Sequence, residues 1–184
     1  MKVLVLSLTL VAALAADPEK PFWANEDTYG HEQDAWTSLQ GDLTSNYYLV
    51  KSTALSDPVW GNNFTCVSVR ATSKNDGEKS IQAVIKYKAQ EDQALHITEE
   101  KIYAVSHYNY QKANAIKYVT KAGELTDVLA YSNGASCDVY YVPPTQDYEL
   151  WATNIEDIAK ECTEKFKAYS TKKEARDVYT IDCE

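Results

Sequence analysis

Between Tyr47 and Ala152 apolar and polar residues alternate in short runs, a period of two that sends successive side chains to opposite faces of a strand. Eight runs carry the pattern: Tyr47–Leu55, Phe64–Thr72, Ser80–Lys88, Ile97–Val105, Ala115–Thr120, Leu125–Tyr131, Cys137–Val142 and Tyr148–Ala152. Turn-forming clusters separate them, among them Gly61-Asn62-Asn63, Lys74-Asn75-Asp76-Gly77 and Ser132-Asn133-Gly134. On either side the period becomes helical. Ala35, Trp36, Leu39 and Leu43 share a face of a short helix within His31–Leu43. Ile155, Ile158, Ala159, Cys162, Phe166 and Tyr169 share a face of a second helix that runs to Ser170. Residues 17–31 read as an irregular arm, and Asp177–Ile181 as a last extended piece. Eight successive strands between two helices predict an antiparallel all-β domain, either a sandwich or a closed barrel. An eight-stranded barrel holds room inside for one small ligand.

The first residues do not join this pattern. Lys2, the apolar run Val3–Leu14 and the small residues up to Ala16 have the anatomy of a secretory signal peptide. The run is shorter than the ~20 apolar residues that a membrane span needs. Residues 1–16 are therefore expected to be removed, leaving 17–184 as a single domain. Secretion changes the meaning of Cys66, Cys137, Cys162 and Cys183, which lack CxxC spacing and read as two disulfides rather than a metal site. Three connectivities remain open at this level. Asn63-Phe64-Thr65 is the N-x-S/T sequon, so Asn63 is a candidate glycan site. The formal charge of −9 argues against nucleic acid and against an anionic membrane as partners.

The charge matters more for where it falls. Asp127 lies in register with Leu125, Leu129 and Tyr131 on one strand face, Glu149 with Trp151, Asp138 with Tyr140 and Val142, and Glu100 with Ile102 and Ala104. An ionised carboxylate on an apolar face costs several kcal/mol unless it is paired. Either these acids turn outward or find Lys and Arg partners, or four strands supply a cavity suited to a cation, with Tyr and Trp faces for cation–π contact. Catalytic patterns are poor by comparison. The sequence has no GxSxG, no HExxH and no Gly-rich phosphate loop, and His31, His96 and His107 lack metal-ligand spacing. The reading is a binding protein with no metal and no cofactor, rather than an enzyme.

Several segments resemble the tick salivary lipocalins that bind histamine and related biogenic amines. They are Gln33-Asp34-Ala35-Trp36, Asp57-Pro58-Val59-Trp60-Gly61-Asn62, Phe64-Thr65-Cys66-Val67, Thr126–Ser132, Cys137-Asp138-Val139, Tyr148-Glu149-Leu150-Trp151 and Arg176–Thr180. The resemblance implies an eight-stranded antiparallel lipocalin barrel with an N-terminal and a C-terminal helix, monomeric, and disulfides Cys66–Cys183 and Cys137–Cys162. It implies up to two amine pockets. Asp57, Glu100 and Tyr118 match one of them. Ser38, Asp42, Trp60, Asp127, Asp138 and Trp151 match the other, with Glu149 between the two. Ala54, Ile116 and Leu125 are aliphatic where well-known members carry a ring. The function implied is capture of a host amine in saliva, histamine first and serotonin second. The alternatives are a lipocalin for a fatty-acid mediator and a loop-mediated inhibitor of a host protein such as complement.

Overall fold

The computed structural model describes residues 20–120 and 123–183, so the expected leader lies outside the described residues. Two short helices, α1 (Glu26–Tyr29) and α2 (Ala35–Gly41), precede β1 (Tyr47–Ser52). The loop after β1 carries a small hairpin of β2 (Ser56–Asp57) and β3 (Gly61–Asn62). Then follow β4 (Thr65–Asn75), β5 (Ser80–Lys88), β6 (Leu95–Val105), β7 (Ala115–Thr120), β8 (Gly123–Ser132), β9 (Cys137–Val142) and β10 (Asp147–Ala152). The chain ends with α3 (Lys160–Tyr169) and the two-residue strand β11 (Arg176–Asp177).

From β4 to β10 each strand pairs with the next, and β1 pairs with both β4 and β10, which closes an eight-stranded antiparallel barrel. The closing ladder runs from Tyr48 opposite Ala152 to Ser52 opposite Glu149. Because β4 pairs β1 only at Tyr47 and Tyr48, the far half of β1 is left free. The tail strand β11 fills it at Lys51 and Ser52. Closure leaves no exposed edge to template aggregation and encloses a lumen.

One end of the lumen is plugged by α2. Asp34 caps this helix by accepting the Thr37 N–H at 3.0 Å, and Ala35 N–H bonds to Ala113 O at 3.0 Å. Ala35 and Leu39 then pack among Ala71, Ile81, Ala83, Ile102, Leu129 and Tyr140. Outside the barrel, α3 and Trp23 bury Phe166 and Cys162 against Val128, Val139 and Leu150. Toward the mouth, Trp60, Phe64, Val67 and Val178 form a third cluster. Cys66–Cys183 and Cys137–Cys162 are both bonded, the first fastening the tail and the second fastening α3 to β9.

Several boundaries differ from the sequence reading, each for a local reason. The expected irregular arm contains α1, capped by the Asn25 side chain on the Thr28 N–H at 3.2 Å, a signal too short to leave a period. The expected first helix is confined to α2. β1 stops at Ser52, whose hydroxyl accepts the Ala54 N–H at 3.0 Å and turns the chain. β4 continues through polar residues to Asn75 because its ladder with β5 holds, whatever the side chains. α3 begins only at Lys160, since Asn154 Oδ1 accepts the Glu156 and Asp157 N–H groups in a turn. The last extended piece shrinks to β11 followed by a turn of 3₁₀ helix at Ile181–Cys183. In β8 a bulge between Leu129 and Tyr131 reverses the alternation, so Tyr131 packs outside with Trp23 and does not share Asp127's face.

Replacing the α3 bridge should show how much it holds. Cys137→Ala/Cys162→Ala is expected to lower the unfolding free energy by about 2–4 kcal/mol, measured in a denaturant titration. Peptide mapping of the unreduced wild-type protein should yield the two pairs above and no others.

Candidate ligand-binding site

Between α2 and the mouth the lumen holds a cavity of about 70 Å³. Leu39, Val59, Val69, Ile85, Ile102 and Ile116 give it apolar walls, and Tyr47, Trp60, Tyr118, Tyr140 and Trp151 supply aromatic ones. Five acids face the same space: Asp42, Glu100, Asp127, Asp138 and Glu149. Among the described residues, no Lys, Arg or His lines it.

Two acid clusters stand on different elements. In the first, α2 turns Ser38 and Asp42 inward on the same face as Ala35 and Leu39. Ser38 Oγ donates to Asp138 Oδ2 at 2.7 Å. Its proton being used there, the Tyr140 hydroxyl, 2.9 Å away, donates to Ser38. Burial raises the Asp138 carboxyl to about 6, although Ser132 and Ser38 hydrogen bonds oppose the shift. Asp42 is pushed well above the usual carboxylate range, by burial first and by the Asp138 charge second. In the second cluster, Tyr118 donates to Asp127 Oδ2 at 2.8 Å, and the Trp151 indole N–H donates to Glu149 Oε2 at 2.9 Å. Burial pushes both carboxyls up, and the Asp127 charge pushes Glu149 further. Glu100 is raised by burial alone.

Of the ten residues singled out from the sequence, nine line this one cavity: Ser38, Asp42, Trp60, Glu100, Tyr118, Asp127, Asp138, Glu149 and Trp151. Asp57 is placed otherwise. Its Oδ1 accepts the Val59 N–H at 2.7 Å and the Trp60 N–H at 3.0 Å, so it shapes the β2–β3 turn that carries Trp60 inward. Gly61, at φ +77°, completes that turn in a conformation that favours glycine. Trp60 then meets Phe64 edge-on at 5.1 Å and Trp151 at 6.2 Å. Tyr118 and Asp127, matched to different pockets by resemblance, are hydrogen-bonded to each other, and both acid clusters line the same cavity.

Two features escaped the sequence reading. Tyr140 follows Asp138 by two positions and was visible as its neighbour but not as a site residue. Tyr47, at the barrel's plugged end, gives no sign of its role in the pattern. Ser38 and Asp42, on the inward face of α2 and at its end, are marked by the resemblance and not by the periodicity, which weighs apolar residues alone. Ile116 does line the cavity, while Leu125 stands opposite Tyr118 in the ladder and Ala54 is buried near Trp60.

Carboxyls raised in the folded chain make the ligand-free protein more stable in mild acid. The folded state binds more protons than the unfolded chain from about pH 4 upward, so stability falls as pH rises through the raised values. Asp138 alone supplies about 1–1.5 kcal/mol between pH 7.5 and pH 5, worth roughly 2–5 °C. Differential scanning calorimetry should therefore give a higher Tm at pH 5 than at pH 7.5, with the difference reduced in Asp138→Asn.

Solved structures share this architecture. The AM182–serotonin complex aligns with 82% of this chain and 92% of its own at a TM-score of 0.60 and 20% identity. The siderocalin Ex-FABP aligns with 76% and 95% at 0.52 and 8% identity. At these identities the likeness establishes the lipocalin fold alone. Sequence relatives come nearer. "Female-specific histamine-binding protein 1" of Rhipicephalus appendiculatus is 43% identical over 98% of this chain and 97% of its own. "Male-specific histamine-binding salivary protein" of the same tick is 40% identical over 98% and 94%. The profile of the family described as tick histamine binding protein matches residues 23–184. With a match over nearly the whole described chain and relatives at 40% and 43% identity, the protein belongs to the tick histamine-binding family of lipocalins, whose members are binding proteins rather than enzymes.

Proposed function

We propose that the protein is a secreted salivary lipocalin that sequesters a small cationic amine, histamine first and serotonin second, inside its barrel. The observation that carries this reading is a barrel lumen lined by five carboxyl groups and, among the described residues, by no cationic side chain. A protonated amine supplies the missing charge, and the low-dielectric surroundings screen the attraction less than water does. Trp60, Trp151 and Tyr140 offer ring faces to the ligand. Ser38 and Tyr118 act as positioning residues, holding Asp138 and Asp127 by their hydroxyls. Asp57 contributes through the turn it builds. The same lumen repels a fatty-acid carboxylate.

Two disulfides and the salivary relative support removal of residues 1–16 and export. Asn63 is exposed after β3, with its Nδ2 2.7 Å from Gln90 Oε1 and no buried partner, and is the proposed glycan site.

Isothermal titration calorimetry with histamine, serotonin and oleate tests the reading. Both amines should bind and oleate should not. Asp138→Asn should weaken an amine-binding step by more than tenfold, since losing one partner of a desolvated charge pair costs about 2–5 kcal/mol, without lowering the Tm at pH 7.5. Saturable binding of oleate together with indifference to both amines would reverse the assignment.

A further inference from the structure

Asp127 and Glu149 face each other's charge with little help from their surroundings. The two residues are 7% and 4% exposed. Each receives one side-chain hydrogen bond, from Tyr118 and Trp151, and both donors are neutral. Among the described residues, the charged groups that act on the pair are acids, apart from Arg176, which bonds to neither carboxyl. Asp57 adds a negative charge to both carboxyls, and Asp147 adds another to Glu149. Asp147 is itself engaged by Lys173 at 2.7 Å and by the Thr53 hydroxyl at 2.7 Å. Arg176 feels the Glu149 charge, but its Nε and Nη1 donate to the Ala54 and Phe64 carbonyls at 2.9 and 2.8 Å. Glu100, Asp138 and Asp42 line the same lumen and are acidic too. Two carboxyls that share a low-dielectric space, with no cation hydrogen-bonded to either, resist ionising together and titrate as a unit.

We propose that the Asp127–Glu149 pair captures its ligand by proton exchange, the empty cavity holding protons in place of a counter-cation and the entering ammonium expelling one of them to solvent. The inference rests on the amine reading above. One carboxyl O–H bond breaks, its proton leaves to water or buffer, and the oxygen keeps the electron pair and faces the ammonium. One unit of positive charge replaces another, so the charge inside the lumen is unchanged. That equality is why exchange suits a buried site better than adding an uncompensated ion would. Affinity for the amine then rises with pH over the range in which the pair titrates, opposite in sign to the stability of the empty protein.

Histamine is titrated calorimetrically into the full mature protein at pH 7.0 in phosphate, HEPES and ACES, which differ in ionisation enthalpy. Plotting the observed enthalpy against the buffer's gives a slope equal to the protons released, expected at about 0.5–1 per histamine bound to this pair. Glu149→Gln and Asp127→Asn should each bind histamine more weakly, with at least half of that slope lost. A slope of zero in the wild type, with binding intact, overturns proton exchange and leaves the amine reading standing. An undiminished slope in both variants also overturns it, because the proton then comes from the ligand or another group. Absence of histamine binding defeats the amine reading, and this one with it.

Discussion

Closure of β1 against β10 takes both edges of the sheet out of solvent and creates an interior where charge is costly. Everything at the site depends on that cost. Glu149 sits on the closing ladder itself, opposite Ser52, and Trp151 stands opposite Leu49. In an open sheet these side chains would be hydrated and ordinary. Inside the ring, with α2 sealing one end, the same carboxyls lose water and, among the described residues, bond to no cation.

The fold bears this penalty because its other parts are conventional. Three apolar clusters, two disulfides and a closed ring of paired strands hold the barrel independently of the lumen acids. A site held short of its most stable arrangement is a common cost of function. Here the arrangement is ordered by neutral donors, Ser38 to Asp138, Tyr118 to Asp127 and Trp151 to Glu149. These bonds fix where each carboxyl points without cancelling its charge, so the attraction for a cation survives. Had lysines done the same work, the lumen would be more stable and indifferent to amines.

Asp57 and Asp127 illustrate how far residue type can mislead. Both are acids on the motifs that mark the family. Asp57 accepts two backbone N–H groups and is consumed by a turn, whereas Asp127 accepts one phenol and remains available to the cavity. The difference lies in whether the backbone nearby has unsatisfied donors, which is decided by the path of the β2–β3 hairpin.

The sequence by itself determined the order of strands and the alternation that puts acids on apolar faces, because a period of two is local and needs no knowledge of partners. It also determined family membership through its motifs, and with it the barrel. Only the tertiary structure decided which face each strand turns inward: the β8 bulge sends Tyr131 out while Asp127 stays in, a reversal that pattern alone does not encode. It decided that Ser38 and Asp42 on α2 meet Asp138 from a strand 100 residues away in the chain. It decided, too, that the nearby cation Arg176 bonds to backbone carbonyls and to none of the lumen acids. Charge compensation is a property of three-dimensional neighbours, and those neighbours exist only once the ring is closed.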